Sequence, residues 1–112
     1  MDTLTSDQSI IKRVLQDYTH FLATANGSLP SYLLFDDEHG HYALIEGGWQ
    51  QDHYVHDTLI HIGMVNQQIW IHEDNTEEGI APELVAAGIP KNRIVLGFRS
   101  PEVRPFTEFA VG

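Results

Sequence analysis

The seven histidines are the side chains best suited to acid–base or metal chemistry near neutral pH, and five of them lie between His39 and His61. His39-x-His41 and His53-x-x-His56 have separations used by metal ligands. On a strand, positions i and i+2 share a face, so His39 and His41 would chelate if the strand began early enough. His39, however, sits in a predicted turn beside Gly40, and the chain has no H-E-x-x-H or comparably strong pattern. The imidazoles therefore read as surface or interface groups bonded to carboxylates, and no tight transition-metal site is expected.

Carboxylates form two clusters, Asp36-Asp37-Glu38 and Glu73, Asp74, Glu77 and Glu78. A pair can serve as general acid and base only where surroundings split their pKa values. A solvated turn and a capped helix start account for both clusters. The chain has no Cys, which removes disulfides, thiolate metal sites, iron–sulfur clusters and Cys nucleophiles. It has no G-x-S-x-G elbow, and no Lys follows Gly47-Gly48 to make a phosphate loop. No catalytic residue, metal ligand or cofactor is assigned.

Charge narrows the partners. Of 112 residues, 6 are Lys or Arg and 16 are Asp or Glu, giving a formal net charge of -10 with His neutral. Residues 30–80 contain no Lys or Arg. Affinity for nucleic acid comes mainly from cations on phosphates, so a broad DNA-binding face is not expected. Trp49, Tyr54, Trp70 and Phe98 would suit base stacking only in a basic surround, and instead read as core or protein-interface residues. With 42% hydrophobic residues, the chain can bury one core, and residues 1–112 read as a single domain. The start, Met1-Asp2-Thr3-Leu4, lacks a basic, apolar leader, and no apolar run is long enough to span a bilayer, so a cytoplasmic location is expected.

The elements that must position these groups follow from periodicity. Ile10, Ile11, Val14, Leu15, Tyr18, Phe21 and Leu22 make one apolar stripe at helical spacing, which predicts a helix from about residue 6 to 24. Thr5 with Gln8 fits a capping box and Asn26-Gly27 a stop. Residues 31–35, 41–49, 54–65 and 68–73 are β-branched and aromatic runs separated by short polar breaks, which predicts a four-strand antiparallel meander. Gly47-Gly48 suggests a bulge or an early end to pairing. A second helix is expected from near Gly79 to Gly88 with Pro82 in its first turn, then a fifth strand over Ile94–Phe98 and an irregular tail. The fold class is α+β, a mostly antiparallel sheet of about five strands with two main helices. Ile11, Val14, Leu15, Tyr18, Leu22, Ile69, Ile71, Leu84 and Leu96 are the expected core. Helices cover one sheet face. The other, bearing Trp49, Trp70 and His72 with His56 or His61 near it, is part-apolar and is expected to bury against a second protein chain, a homodimer being the simplest arrangement.

One ordered string carries a family resemblance: Ile69-Trp70-Ile71-His72-Glu73-Asp74-Asn75-Thr76-Glu77-Glu78-Gly79-Ile80-Ala81, Glu83-Leu84-Val85, Gly88-Ile89-Pro90-Lys91, Ile94-Val95-Leu96-Gly97-Phe98, Pro101, Arg104 and Thr107-x-Phe109-Ala110-Val111. With Tyr42, Gly48-Trp49, Val55-His56 and His61, it resembles the XisI family of fdxN-element excision controlling factors over nearly the whole chain. Arg99 stands where family members commonly carry His, and Asn75 and Pro82 are also variants. The resemblance implies an α+β domain, a part in programmed DNA excision during cyanobacterial heterocyst differentiation, and a neighbour, XisH, that resembles a restriction-type nuclease. It supplies no catalytic residues. The expected function is a non-catalytic accessory protein that controls this nuclease-like partner. The alternatives are a direct DNA-binding excision factor and a small metal-dependent hydrolase.

Overall fold

The computed structural model describes residues 3–25 and 29–112. Helix α1 (Thr3–Ala23) is followed by strands β1 (Ser31–Asp36), β2 (His41–Gln50), β3 (His53–Val65) and β4 (Gln68–Asp74), then α2 (Ala81–Ala86) and β5 (Ile94–Leu96). The sheet order is β1-β2-β3-β4-β5. The first four strands form the antiparallel meander, and β5 joins β4 in parallel. The parallel step is what α2 makes feasible, because a strand can return alongside its predecessor only through a crossover.

Local chemistry sets the turns. Asn66 and Gln67, both at positive φ, make the two-residue β3–β4 turn whose backbone twist matches the flanking strands. In the β1–β2 turn the Asp36 carboxylate accepts the His39 N–H at 3.0 Å and faces the His39 ring nitrogen Nδ1 at 2.8 Å. Gly40 leaves that turn at φ 73°.

The core lies between the sheet and the two helices. Ile11, Val14 and Leu15 of α1 and Leu84 of α2 pack with Tyr42, Leu44, Ile60, Ile62, Ile69 and Ile71, which alternate onto the same sheet face. Of the expected core residues, Tyr18, Leu22 and Leu96 are half-buried and pack against this cluster. Arg93 ties the β5 end to α1 through a bidentate pair with the buried Asp7, and donates to the Gln67 carbonyl.

Three local expectations change, and a fourth is not reached. Thr5 lies inside α1 rather than capping it, and Gln8 turns away to donate to the Asp37 carbonyl at 3.0 Å. The Asn26-Gly27 stop lies outside the described residues. Gly47 and Gly48 neither bulge nor end the pairing, but sit opposite His56 and Val55, while the register shifts between Leu44 and Ile45. They serve close approach instead: a Cβ on Gly47 would meet His56 Cδ2 at 3.2 Å, and one on Gly48 would meet Pro30 Cδ at 3.2 Å. Helix α2 starts two residues later than Gly79, because Gly79 takes a left-handed φ of 84° and the Asp74 carboxylate holds the Ile80 N–H.

Candidate protein-interaction face

The face of the sheet away from the helices is built from cross-strand pairs. Tyr32 opposes Ile45 and Leu34 opposes Ala43 between β1 and β2. Ala43 opposes His61, Ile45 opposes Thr58, and Trp49 opposes Tyr54 between β2 and β3. Gly63 opposes Trp70 between β3 and β4. Opposed residues share a face, so the open side carries Tyr32, Leu34, Trp49 and Tyr54, which are 51%, 57%, 69% and 61% exposed.

Two groups of rings stand on this surface. At one end, Trp49 packs against Tyr54 with centroids 5.3 Å apart, and Tyr54 lies parallel to His56 at 6.4 Å. At the other end, His41, His61, His72 and Trp70 form a continuous row. His61 Nε2 lies 3.3 Å from His41 Nδ1, and the His61 and His72 centroids are 5.0 Å apart. His72 stacks on Trp70 at 6.1 Å.

The row contains an irregularity. Ile62 opposes Ile71 and His61 opposes Glu73, so His72 is the extra residue of a β-bulge. Its ring swings over Gly63, where a Cβ would lie 2.6 Å from His72 Nε2 and 3.4 Å from His41 Nδ1. Glycine at position 63 is thus the gap into which both imidazoles fit. Beside the row, a shallow depression of about 490 Å³ is lined in part by Leu34, Asp36, His41, Ala43 and His61.

Burial holds His61 and His72 below the ordinary histidine range, and the neighbouring imidazoles add to this, His41 for His61 and both His61 and His41 for His72. Glu73 opposes the shift at His61. Both shifts favour the neutral imidazole at His61 and His72. Among the described residues no group of three or more His, Asp or Glu side chains is arranged to hold a metal ion.

The C-terminal tail covers one end of the face. Ala110 N donates to the Ile94 carbonyl at 2.8 Å and Ala110 bridges to Val95. The Arg104 guanidinium lies over the Trp70 ring, 5.0 Å from its centroid. Trp70 is consequently half-buried, and its Nε1 is buried without a hydrogen-bond partner. Of the five sequence-derived candidates, His61, Trp70 and His72 stand together, while Trp49 and His56 stand apart at the far end, joined through Tyr54. Beyond these five, the sequence marks His41 only as a candidate chelator and Tyr54 only as a core or interface aromatic, and it does not single out Gly63. Alternation of His41 with Ala43 and Ile45 marks the first, whereas Gly63 acquires its role only through register.

The opposite side is acidic. Asp74, Glu77 and Glu46 crowd Tyr18, whose phenol is pushed up first by burial and then by these three charges. Of the six cations, Lys12 pairs with Asp37 at 2.8 Å, Lys91 with Glu108 at 3.2 Å, and Arg93 with Asp7, while Arg99 lies over the Phe98 ring.

A family model described as XisI protein matches residues 1–111. The chain belongs to the XisI family. Two solved structures from Anabaena variabilis extend this result to three dimensions. The fdxN element excision controlling factor XisI is 31% identical, with 99% of this chain and 100% of that one covered and a TM-score of 0.84. A XisI-like protein is 29% identical, with 98% and 100% covered and a TM-score of 0.87. The α+β architecture of two helices and a mostly antiparallel five-strand sheet is that of XisI structures. A comparison with the curated proteins finds no match. Among the described residues no helix is long and apolar enough to cross a membrane.

Proposed function

We propose that this XisI-family chain is a non-catalytic accessory factor that controls excision of a DNA element by binding a nuclease-like protein of the XisH type in the cytoplasm. The observation that carries the reading is the distribution of charge. A nuclease must present a cationic groove to DNA, and a chain of net charge -10 is complementary to such a groove. The carboxylates Glu46, Asp74 and Glu77 gather on the helix side, and Glu78 and Glu83 are exposed around α2. Three of the six cations are engaged by this chain's own carboxylates, which leaves little with which to grip phosphates. In the histidine row the imidazoles face one another, His61 Nε2 lying 3.3 Å from His41 Nδ1.

The test is affinity capture of the tagged, full-length chain from its native host at about 50 mM and about 300 mM salt. A nuclease-like protein retained at the lower salt and released at the higher is the expected result, because the screening length for exposed charges shrinks from about 14 Å to about 6 Å across this range. Recovery of nucleic acid without such a protein would overturn the reading in favour of direct DNA binding.

A further inference from the structure

The open face of the sheet is the part of this acidic chain with no net charge at its centre. Leu34, Ala43, Ile45 and Thr58 lie between the two ring groups, and neither Lys, Arg, Asp nor Glu stands among them. The carboxylates that reach the histidine row do so from its margins. Asp36 lies opposite His41 on the edge strand β1 and is bonded to His39, and Glu73 lies opposite His61 on β4. From the tail, Arg104 stands over Trp70, and beside His72 the chain just after β5 presents the uncharged Gly97, where a Cβ would lie 3.6 Å from His72 Nδ1.

This pattern selects an occupant. A cationic partner gains no attraction from an uncharged face. A second copy of the chain is repelled by every acidic surface and can approach closely only where carboxylates are missing. Two identical sheets meeting about a two-fold axis bring like residues near like residues, which an uncharged, aromatic and aliphatic surface tolerates. We propose that a second copy of this chain covers the open face, and that the His41–His61–His72 row at the contact must be neutral for the two sheets to meet. Protonation places several positive charges in a desolvated contact, and the marginal Asp36 and Glu73 are too few to offset them. The low proton affinity of His61 and His72 in the single chain accords with this arrangement.

The sign of the pH effect separates this device from general acidity. Acidification lowers the net negative charge of the chain, which by itself strengthens self-association. Only groups that gain charge at the contact reverse that trend. A histidine that is neutral in the dimer weakens it about tenfold at one pH unit below the pKa it has in the separated chains, which for His61 and His72 lies below the ordinary value.

The experiment is light scattering coupled to sizing of the full chain at tens of micromolar, at about pH 8 and about pH 5.5, with circular dichroism at each pH. The expected mass is twice the chain mass at about pH 8, with the dimer several-fold weaker at about pH 5.5. Leu34→Glu, at a position exposed in the single chain, should be folded and monomeric at both. The His61→Gln, His72→Gln double variant should remain dimeric at about pH 5.5. A monomeric wild type at about pH 8, or a Leu34→Glu variant that is still dimeric, would overturn the interface. A wild-type dimer unweakened at about pH 5.5, or a double variant that dissociates there as the wild type does, would overturn the role of the histidines. Neither failure touches the charge argument for the nuclease-like partner, which is read by salt-dependent capture.

Discussion

Arg93→Met is expected to lower the unfolding free energy by about 3 kcal/mol, because it strands the Asp7 carboxylate without a partner inside the protein. Asp7 is 4% exposed, and both its oxygens are held by the Arg93 guanidinium, whose Nε and Nη2 also donate to the Gln67 carbonyl at 3.0 and 2.8 Å. Asp7 in turn holds Arg93 more firmly in its charged form. The pair joins the first turns of α1 to the β3–β4 turn and the start of β5, elements far apart in sequence. Thermal unfolding should fall by about 10–15 °C for a domain of this size. Adding Asp7→Leu to the same chain should recover much of the loss, since the uncompensated charge then disappears along with its partner. A single-variant loss below about 1 kcal/mol would show that water reaches this pair.

The second large effect is expected at Asp74. Its carboxylate accepts the Thr76 N–H at 3.0 Å, the Thr76 hydroxyl at 2.6 Å and the Ile80 N–H at 2.6 Å. These bonds fold residues 74–80 into the turn that leads into α2. The N-cap of α2, Ile80, has no side-chain cap bond, and the helix is 6 residues long. A helix so short does not persist on its own propensity and relies on its docking and its entry turn. Asp74→Ala should destabilise the fold by about 2 kcal/mol, since hydrogen bonds to an ionised acceptor in a part-buried site exceed the usual net contribution. Amide exchange should accelerate most at residues 76–86, with β2 and β3 protected as before. Asp74→Asn, which keeps one carbonyl acceptor, should lose about half as much. Uniform acceleration across all five strands would contradict a local role for this carboxylate.

How legible the molecule was in its sequence varies by element. The stripe Ile11, Val14, Leu15 and Tyr18 announces α1, because helical spacing needs no knowledge of the partner surface. The polar breaks before His41, His53 and Gln68 announce the meander for the same reason, and Pro82 and Gly88 bracket α2. Register is different. The shifts at Leu44/Ile45 and His61/Ile62 arise from how whole strands accommodate one another, so no dipeptide predicts them. Gly47-Gly48 carried the obvious bulge signal and is instead regular pairing that admits Pro30 and His56. The candidate face was readable as a face from alternation in β2 and β4. The row within it was readable only in part: alternation places His72 on the face of Trp70, but the bulge that pairs His61 with Glu73 and turns the His72 ring over Gly63 has no signal in the sequence. Arg104 over Trp70 was equally hidden, since the tail carries no periodic pattern to place it.

The central claim is that this chain acts on excision through a protein and not by gripping DNA itself. The most direct measurement is a titration of fluorescently labelled duplex DNA with the purified chain, read by anisotropy at about 150 mM salt, with a second series at lower salt. Each phosphate contact needs a cation, and of the six in the sequence Lys12, Lys91 and Arg93 already face carboxylates. The expected result is no change in anisotropy up to about 10 µM chain, well past the affinity of a specific DNA-binding protein. A saturable rise at sub-micromolar chain that weakens steeply as salt increases would contradict the account.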